Sequence, residues 1–259
     1  ATVSHYKNKI TELKGNSYLT DIADGTILTE VGRPMGVFYG YKTNGIYATT
    51  EDAKADGLQV RSGLADVPFG AGDVRFVNMN GDKYINEEDM TVIGDPNPDI
   101  YGGLNTRILW KNFTFSARFT YSLGNDVYNY TRRTLESMSG LENQTQAVLN
   151  RWRAEGQVTS MPKVTYGDPM GNARFSDRWI EDGSYLKFKN LTVAYDVPIK
   201  KGIITGIQVY AVAENICTWT KYKGYDPEFS ASTNPLGYGI DAFMTPQAHT
   251  FYVGLKLGL

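Results

Sequence analysis

The chain has 259 residues, with 26 basic and 28 acidic side chains, so its formal net charge is −2. This balance excludes the strongly basic surface that attracts nucleic acids or anionic membranes, and we expect no nucleic-acid partner. No run of apolar residues is long enough to cross a membrane as a helix, and the single Cys217 excludes an internal disulfide.

The first part of the chain gives few strand signals. Residues 1–14 alternate weakly between apolar and polar side chains, which predicts a first strand near Val3–Ile10. A Gly- and Asp-rich segment without helical periodicity follows over residues 15–98. A loop of this length is usually functional or has a small fold of its own, and we expect the same here.

The strongest strand pattern lies in residues 99–123. From Phe113 to Leu123 the odd positions are aromatic or aliphatic, and the even positions are Thr, Ser or Arg118. The preceding strand also alternates, and Lys111-Asn112 is short enough to be a hairpin turn. This pattern is typical of a transmembrane β-barrel, which is apolar toward lipid and polar toward its lumen.

A second long segment covers residues 124–183. Within it, residues 143–154 predict a short amphipathic helix with Val148, Leu149 and Trp152 on one side. A strand follows at Tyr185–Val197, but its two halves are out of phase. A bulge near Lys189-Asn190 would bring their apolar residues onto one face.

Two further strands complete the pattern. One begins at Ile207, and the other, at 251–259, alternates most regularly. The last two strands are separated by a third long segment, residues 220–246. Counted together, six predicted strands are joined by connections that are long, short, long, short and long.

This pattern predicts an all-β fold, a transmembrane antiparallel β-barrel with short periplasmic turns and long extracellular loops. The loops at 15–98, 124–183 and 220–246 would lie outside the cell, and the turns near Asn112 and Lys201 in the periplasm. The C-terminus would then be periplasmic. Because even the smallest bacterial barrels need about eight strands, we expect residues 1–259 to be the C-terminal part of a barrel domain, without its plug and N-terminal strands.

The alternation also predicts which side chains contact lipid. We expect Arg118 and Lys256 to face the lumen, and six apolar residues to face lipid: Phe113, Phe115, Phe119, Val253, Leu255 and Leu257.

Five stretches of the chain, in the family's order, resemble the C-terminal part of SusC/RagA-type TonB-linked outer membrane transporters. They are VGRPMGVFYGYKTNGIY (31–47), GDVRFVNMNGDKYINEEDMTVIGDPNPD (72–99), RFSDRWIEDGSYLKFKNLTVAYDVP (174–198), ENICTWTKYKGYDPE (214–228) and TFYVGLKLGL (250–259). The resemblance implies a plugged barrel of about 22 strands in the outer membrane of a Gram-negative cell.

The resemblance also implies a function and partners. The function is TonB-driven uptake of a glycan or peptide fragment. The implied partners are a SusD-like surface lipoprotein that lids the barrel, TonB through the N-terminal part, the remaining barrel strands and outer membrane lipid.

Residues 78–89 have the spacing of a calcium-binding loop, and calcium is the one cofactor that the sequence suggests. The predicted ligands are Asn78, Asn80, Asp82, Tyr84 (through its carbonyl), Asn86 and Asp89. The first position is Asn rather than Asp, and Lys83 occupies the position where the sharp turn favours Gly. The alternative is an Asx-rich turn that keeps its shape without calcium.

Eight aromatic residues fall in the predicted extracellular segments. Exposed rings can stack on sugars or line a peptide site. Alternatively, the rings pack the loops together or form the aromatic girdle at the membrane interface, and we expect one of these for most of them. The set is Tyr128, Tyr130, Trp152, Tyr166, Trp179, Tyr222, Tyr225 and Tyr238.

The sequence gives no support for an enzyme. Its two histidines, His5 and His249, lack the spacing of zinc ligands, and no nucleophile elbow or phosphate-binding loop is present. The alternative to a transporter is a secreted soluble β domain that binds carbohydrate and is stabilised by the 78–89 loop. Extraction distinguishes the two, since only a barrel segment needs detergent.

Overall fold

The computed structural model describes residues 1–199, 204–229 and 235–258. Its strands are β1 (Thr2–His5), β2 (Ser17–Ile22), β3 (Gly25–Glu30), β4 (Val37–Gly40), β5 (Thr43–Ile46), β6 (Gln59–Ser62), β7 (Ala65–Pro68), β8 (Val74–Phe76), β9 (Thr91–Gly94), β10 (Ile100–Trp110), β11 (Phe113–Leu123), β12 (Asp126–Asn129), β13 (Ile180–Asp182), β14 (Tyr185–Val197), β15 (Gly206–Thr220), β16 (Ile240–Asp241) and β17 (Thr250–Gly258).

The helices are short. The α-helices are α1 (Thr50–Asp56) and α2 (Tyr130–Glu136), and the 3-10 helices are Glu87–Asp89, Gln146–Asn150, Asp177–Trp179 and Pro235–Gly237. None of the helices within the described ranges is long and apolar enough to cross a membrane.

The largest sheet has six antiparallel strands in the order β1-β10-β11-β14-β15-β17. The six strands therefore lie side by side in the same order in which they occur along the chain. The hairpin at residues 99–123 is confirmed, because Trp110 pairs with Phe113 and only Lys111-Asn112 connects them. Lys111 has a φ of 52°, which lets the chain reverse direction within two residues.

The predicted bulge in β14 is also confirmed. Arg118 of β11 pairs with Asn190, and the next residue, Phe119, pairs with Phe188, so Lys189 is the extra residue. On the other side of β14 the register shifts at the same place. The bulge brings Phe188 onto the face that carries the apolar residues of the lower half of the strand.

The first strand is shorter than the sequence predicted. β1 ends at His5, and residues 6–14 are not part of the sheet. Backbone bonds at Ile10 explain the difference, since its N–H donates to Arg33 and its carbonyl accepts from Gly32, far from β10. The predicted turn position Lys201 and the end of the last predicted strand, Leu259, lie outside the described residues.

All three long segments leave and re-enter the large sheet at one end. His5 pairs with Ile100 across the first segment, and Tyr185 pairs with Ser122 and Thr220 beside the other two. The turn at residues 111–112 lies at the opposite end, where Val197 of β14 also pairs with Ile207 of β15.

The three segments pack together at that end of the sheet. In the first, a sheet of β2, β3, β4 and β9 accompanies two small two-stranded sheets, β5 with β8 and β6 with β7. The second and third meet where β12 pairs in parallel with β16. One hydrophobic core draws on all three segments: Ile27, Phe38, Tyr128, Phe175, Trp179 and Ile240. The segments therefore form a folded loop module, not open loops.

The helix predicted at residues 143–154 is wrong in type and extent. Only Gln146–Asn150 is helical, as a 3-10 turn, and Leu149 is exposed while Val148 is buried. Trp152 lies past its end in an extended stretch, where its backbone N–H donates to Met161 and its indole N–H donates to Ala48. These long-range bonds stabilise an extended chain more than the local apolar pattern stabilises a helix.

Candidate functional site

The large sheet has one continuous apolar face. A row of paired residues runs across five strands through Ile108, Phe115, Val193, Ala211 and Val253. The adjacent row consists of Trp110, Phe113, Tyr195, Val209 and Leu255. Several of these side chains are strongly exposed, such as Val253 at 76% and Ile108 at 58%. An exposed apolar surface of this extent marks an interaction with lipid or protein.

The opposite face of the same sheet is polar. Its central row pairs Asn105 with Arg118, Asn190, Glu214 and Thr250. All of these side chains except Thr250, together with Arg107, Lys189 and Asn215, border a cavity of about 570 Å³. The six apolar residues predicted to face lipid share one face of the sheet, and Arg118 and Lys256 lie on the other.

A buried ion pair attaches the third long segment to the polar face. Lys187 of β14 is only 2% exposed, and its Nζ lies 2.6 Å from Asp226 Oδ2 and 3.1 Å from Glu228 Oε2. The neighbouring Lys189 contacts the other oxygen of Glu228 at 2.7 Å. Two lysines and two carboxylates thus balance in charge, as burial of ionised groups requires.

Within the predicted calcium loop, the side-chain oxygens bond to backbone N–H groups. Asp89 is fully buried and accepts from Met79 at 2.7 Å and from Asn86 at 2.9 Å. Asp82 accepts from the Tyr84 N–H at 2.8 Å. The same bonding holds for Asn78, Asn80 and Asn86, which accept from Gly81, Asp82 and Glu88.

This geometry is that of successive Asx turns. Lys83 has a φ of 73°, the left-handed conformation that favours Gly at this position of a calcium loop. No cluster of three or more His, Cys, Asp or Glu side chains suited to a metal occurs in the described part of the chain. Calcium binding at 78–89 would thus depend on Asn and carbonyl oxygens beside Asp82 and Asp89, and it stays a prediction.

Limited proteolysis with and without a calcium chelator tests the calcium loop. If the loop binds calcium, the ion should slow cleavage within residues 78–89 of the parent protein but not of the Asp82→Asn variant. Asn keeps an oxygen for the Tyr84 N–H and removes only the charge, so the turn itself should survive. Equal cleavage of both proteins, with and without chelator, would leave only the Asx-turn interpretation.

Of the eight aromatic residues in the predicted extracellular segments, some are buried and others are exposed. Tyr128, Trp179 and Tyr222 are buried, and the Tyr222 hydroxyl donates to Asp241 at 2.5 Å. Burial and this carboxylate raise the pKa of Tyr222 well above its usual value, so the phenol stays protonated. Tyr130 and Trp152 are half-buried, whereas Tyr166, Tyr225 and Tyr238 are exposed.

Two half-buried arginines of the loop module, Arg174 and Arg178, were missed by the sequence analysis. Arg174 packs its guanidinium over the rings of Tyr41 and Phe76, with 4.9 and 4.8 Å to the two ring centroids. Burial lowers the pKa of Arg178 to about 10, and its guanidinium lies over Trp179. Arginines at unremarkable positions of a loop give no sequence signal for burial.

No family model matches the chain, but individual proteins do. TonB-dependent receptor P3 of Formosa agariphila is 32% identical over 98% of this chain, which covers 26% of that receptor. TonB-dependent receptor SusC of Bacteroides thetaiotaomicron is 28% identical over 96% of this chain and 23% of SusC. The solved RagAB peptide transporter superposes with a TM-score of 0.75 at 25% identity, over 98% of this chain and 26% of that one.

The resemblance to SusC/RagA-type TonB-linked receptors is confirmed. The predicted fold class is confirmed as well, because the antiparallel sheet matches the RagA-type barrel fold over nearly the whole chain. The chain spans about a quarter of the length of these SusC/RagA-type relatives. They are described as receptors and transporters, which agrees with the absence of catalytic motifs from the sequence.

Proposed function

We propose that the chain forms part of the barrel wall and the outer loops of a TonB-dependent importer in the outer membrane. The observation that supports this most directly is the two-faced sheet. Five neighbouring strands present a continuous apolar surface on one side and charged residues on the other, as a barrel wall between lipid and a polar lumen requires.

The orientation follows from the connections. Barrels of this class have long loops outside the cell and short turns in the periplasm. The loop module, residues 15–98, 124–183 and 220–246, is therefore extracellular in this proposal. The turn at Lys111-Asn112 and the C-terminus are periplasmic.

The proposed cargo is a glycan or a peptide fragment, and the proposed partner is a SusD-like surface lipoprotein. Support comes from the relatives, which include SusC and the RagAB peptide transporter. In this proposal the lipoprotein covers the loop module, TonB acts through the N-terminal part of the receptor, and the remaining barrel strands pair with β1 and β17.

The secreted-domain alternative has less support. A soluble β domain would cover its apolar face, yet Phe251, Val253 and Leu255 of β17 are 60–76% exposed. The similarity to TonB-dependent receptors over nearly the whole chain also favours the importer.

Extraction distinguishes the two functions. Residues 1–259 produced alone should aggregate or require detergent, because β1 and β17 each leave one edge without a partner strand in the described sheet. The measurement is size-exclusion chromatography with and without detergent. A monodisperse, detergent-free monomer would contradict the importer and favour the secreted domain.

A further inference from the structure

A second cavity lies on the polar face of the sheet, at the end where the loop module joins it. Its volume is about 390 Å³, within the range of small-molecule sites. Five tyrosines line it together with Glu228, and one of them, Tyr121, donates its hydroxyl to the Thr2 carbonyl. We refer to the other four, Tyr6, Tyr101, Tyr185 and Tyr238, together with Glu228 as the tyrosine pocket.

The tyrosine pocket is assembled from four separate parts of the chain. Tyr101 and Tyr185 belong to β10 and β14 and both pair with Ser122 of β11, so they stand on the polar face. Tyr6 follows β1 and meets Tyr101 edge to face, with 6.0 Å between the ring centroids. Tyr238 comes from the third long segment. Such convergence from distant positions gives no signal in the sequence.

Most hydroxyl groups of the tyrosine pocket lack a hydrogen-bond partner among the described residues. Those of Tyr101, Tyr185 and Tyr238 make no hydrogen bond to any residue that the structure describes. Tyr6 makes one weak bond, at 3.3 Å to Asn97. Tyr6, Tyr101 and Tyr238 are 41–47% exposed, so a ligand in the pocket can reach both their rings and their hydroxyl groups.

Glu228 is held rigidly at the edge of the pocket. Its two carboxylate oxygens contact Lys187 and Lys189, and its backbone N–H donates to Asp226 at 3.0 Å. Because Asp226 also neutralises Lys187, the group carries little net charge. The carboxylate can therefore accept hydrogen bonds but offers no strong attraction to a cation or an anion.

We infer that the tyrosine pocket binds a neutral sugar ring of the imported cargo. Flat aromatic faces suit the C–H surface of a pyranose, and unpartnered phenols with a fixed carboxylate suit its hydroxyl groups. A peptide would instead need unpaired charged groups for its termini or an open strand edge. The one charged residue in the pocket lining, Glu228, is already paired with Lys187 and Lys189. The inference rests on the proposed import function, and it identifies the imported substrate as a carbohydrate.

Binding to the purified full-length receptor in detergent tests the inference. The probes are neutral oligosaccharides of glucose, mannose, galactose and xylose, compared with a casein hydrolysate, by calorimetry. Tyr238→Ala removes a ring and a hydroxyl, and Tyr238→Phe removes the hydroxyl alone. We expect at least one oligosaccharide to bind, about 3- to 10-fold more weakly to Tyr238→Phe and more weakly still to Tyr238→Ala.

Tyr225→Ala is the matched control, since Tyr225 is 79% exposed in the same segment and does not line the pocket. Its affinity for the oligosaccharide should equal that of the parent. Failure of every oligosaccharide to bind, equal affinity in all variants, or pocket-dependent binding of peptides only would each overturn the inference. Barrel assembly is measured separately, by the heat-dependent change in electrophoretic migration of the receptor taken from outer membranes. Loss of oligosaccharide binding with intact assembly would therefore overturn the inference but not the import proposal.

Discussion

Replacing Val253 with Arg should prevent most of the receptor from assembling in the outer membrane. Val253 lies on the apolar face in the middle of β17 and is 76% exposed. An arginine that faces lipid near the bilayer midplane costs about 2–4 kcal/mol. The measurement is the fraction of folded receptor in outer membranes, together with its urea unfolding midpoint in lipid vesicles.

The neighbouring Tyr252 provides the control, because it lies on the opposite face of the same strand and is also exposed. Tyr252→Arg should assemble nearly as well as the parent, since water or polar groups surround a lumenal side chain. Equal losses for the two variants would mean that the faces of β17 do not differ in their surroundings.

The second large effect is expected from Lys187→Met. This change leaves Asp226 and Glu228 without the buried cation that both contact. Removing one partner of a buried ion pair costs about 3–5 kcal/mol, because the remaining charge is uncompensated. The segment at 221–229 should detach from the sheet and become sensitive to protease, which mass spectrometry of the cleavage products detects.

Two companion variants separate charge from packing. Lys189→Met loses one contact of a half-exposed lysine and should change cleavage much less. Adding Asp226→Asn to Lys187→Met removes one of the two uncompensated carboxylate charges and should restore part of the protection from protease. If Lys187→Met and Lys189→Met were cleaved equally, the buried ion pair would not be what holds the segment.

The sequence predicted the large sheet well, because each strand carries its own two-residue alternation. Even the bulge at Lys189 could be predicted, since a single extra residue shifts the phase of the apolar–polar alternation in β14. The faces of Arg118 and Phe115 follow from the same rule. The local sequence is sufficient to predict a strand wherever one face of the sheet is apolar and the other is polar.

The loop module could not be predicted in the same way. Its core joins Ile27, Tyr128 and Ile240, which are far apart along the chain and lie in short strands without clear alternation. Helix α1 is capped by Thr49 before its first residue and by Gly57 after its last, but at seven residues it has little periodicity to detect. The tyrosine pocket depends on the same long-range packing and was missed for the same reason.

Photolabelling tests most directly whether the apolar face contacts lipid. Single photoreactive side chains at Phe115 and Leu255, and at Arg118 and Lys256, would be activated in the assembled receptor in native outer membranes, and the adducts identified by mass spectrometry. We expect lipid adducts at Phe115 and Leu255 and none at Arg118 and Lys256. Protein adducts alone at Phe115 and Leu255, or lipid adducts at all four positions, would contradict this expectation.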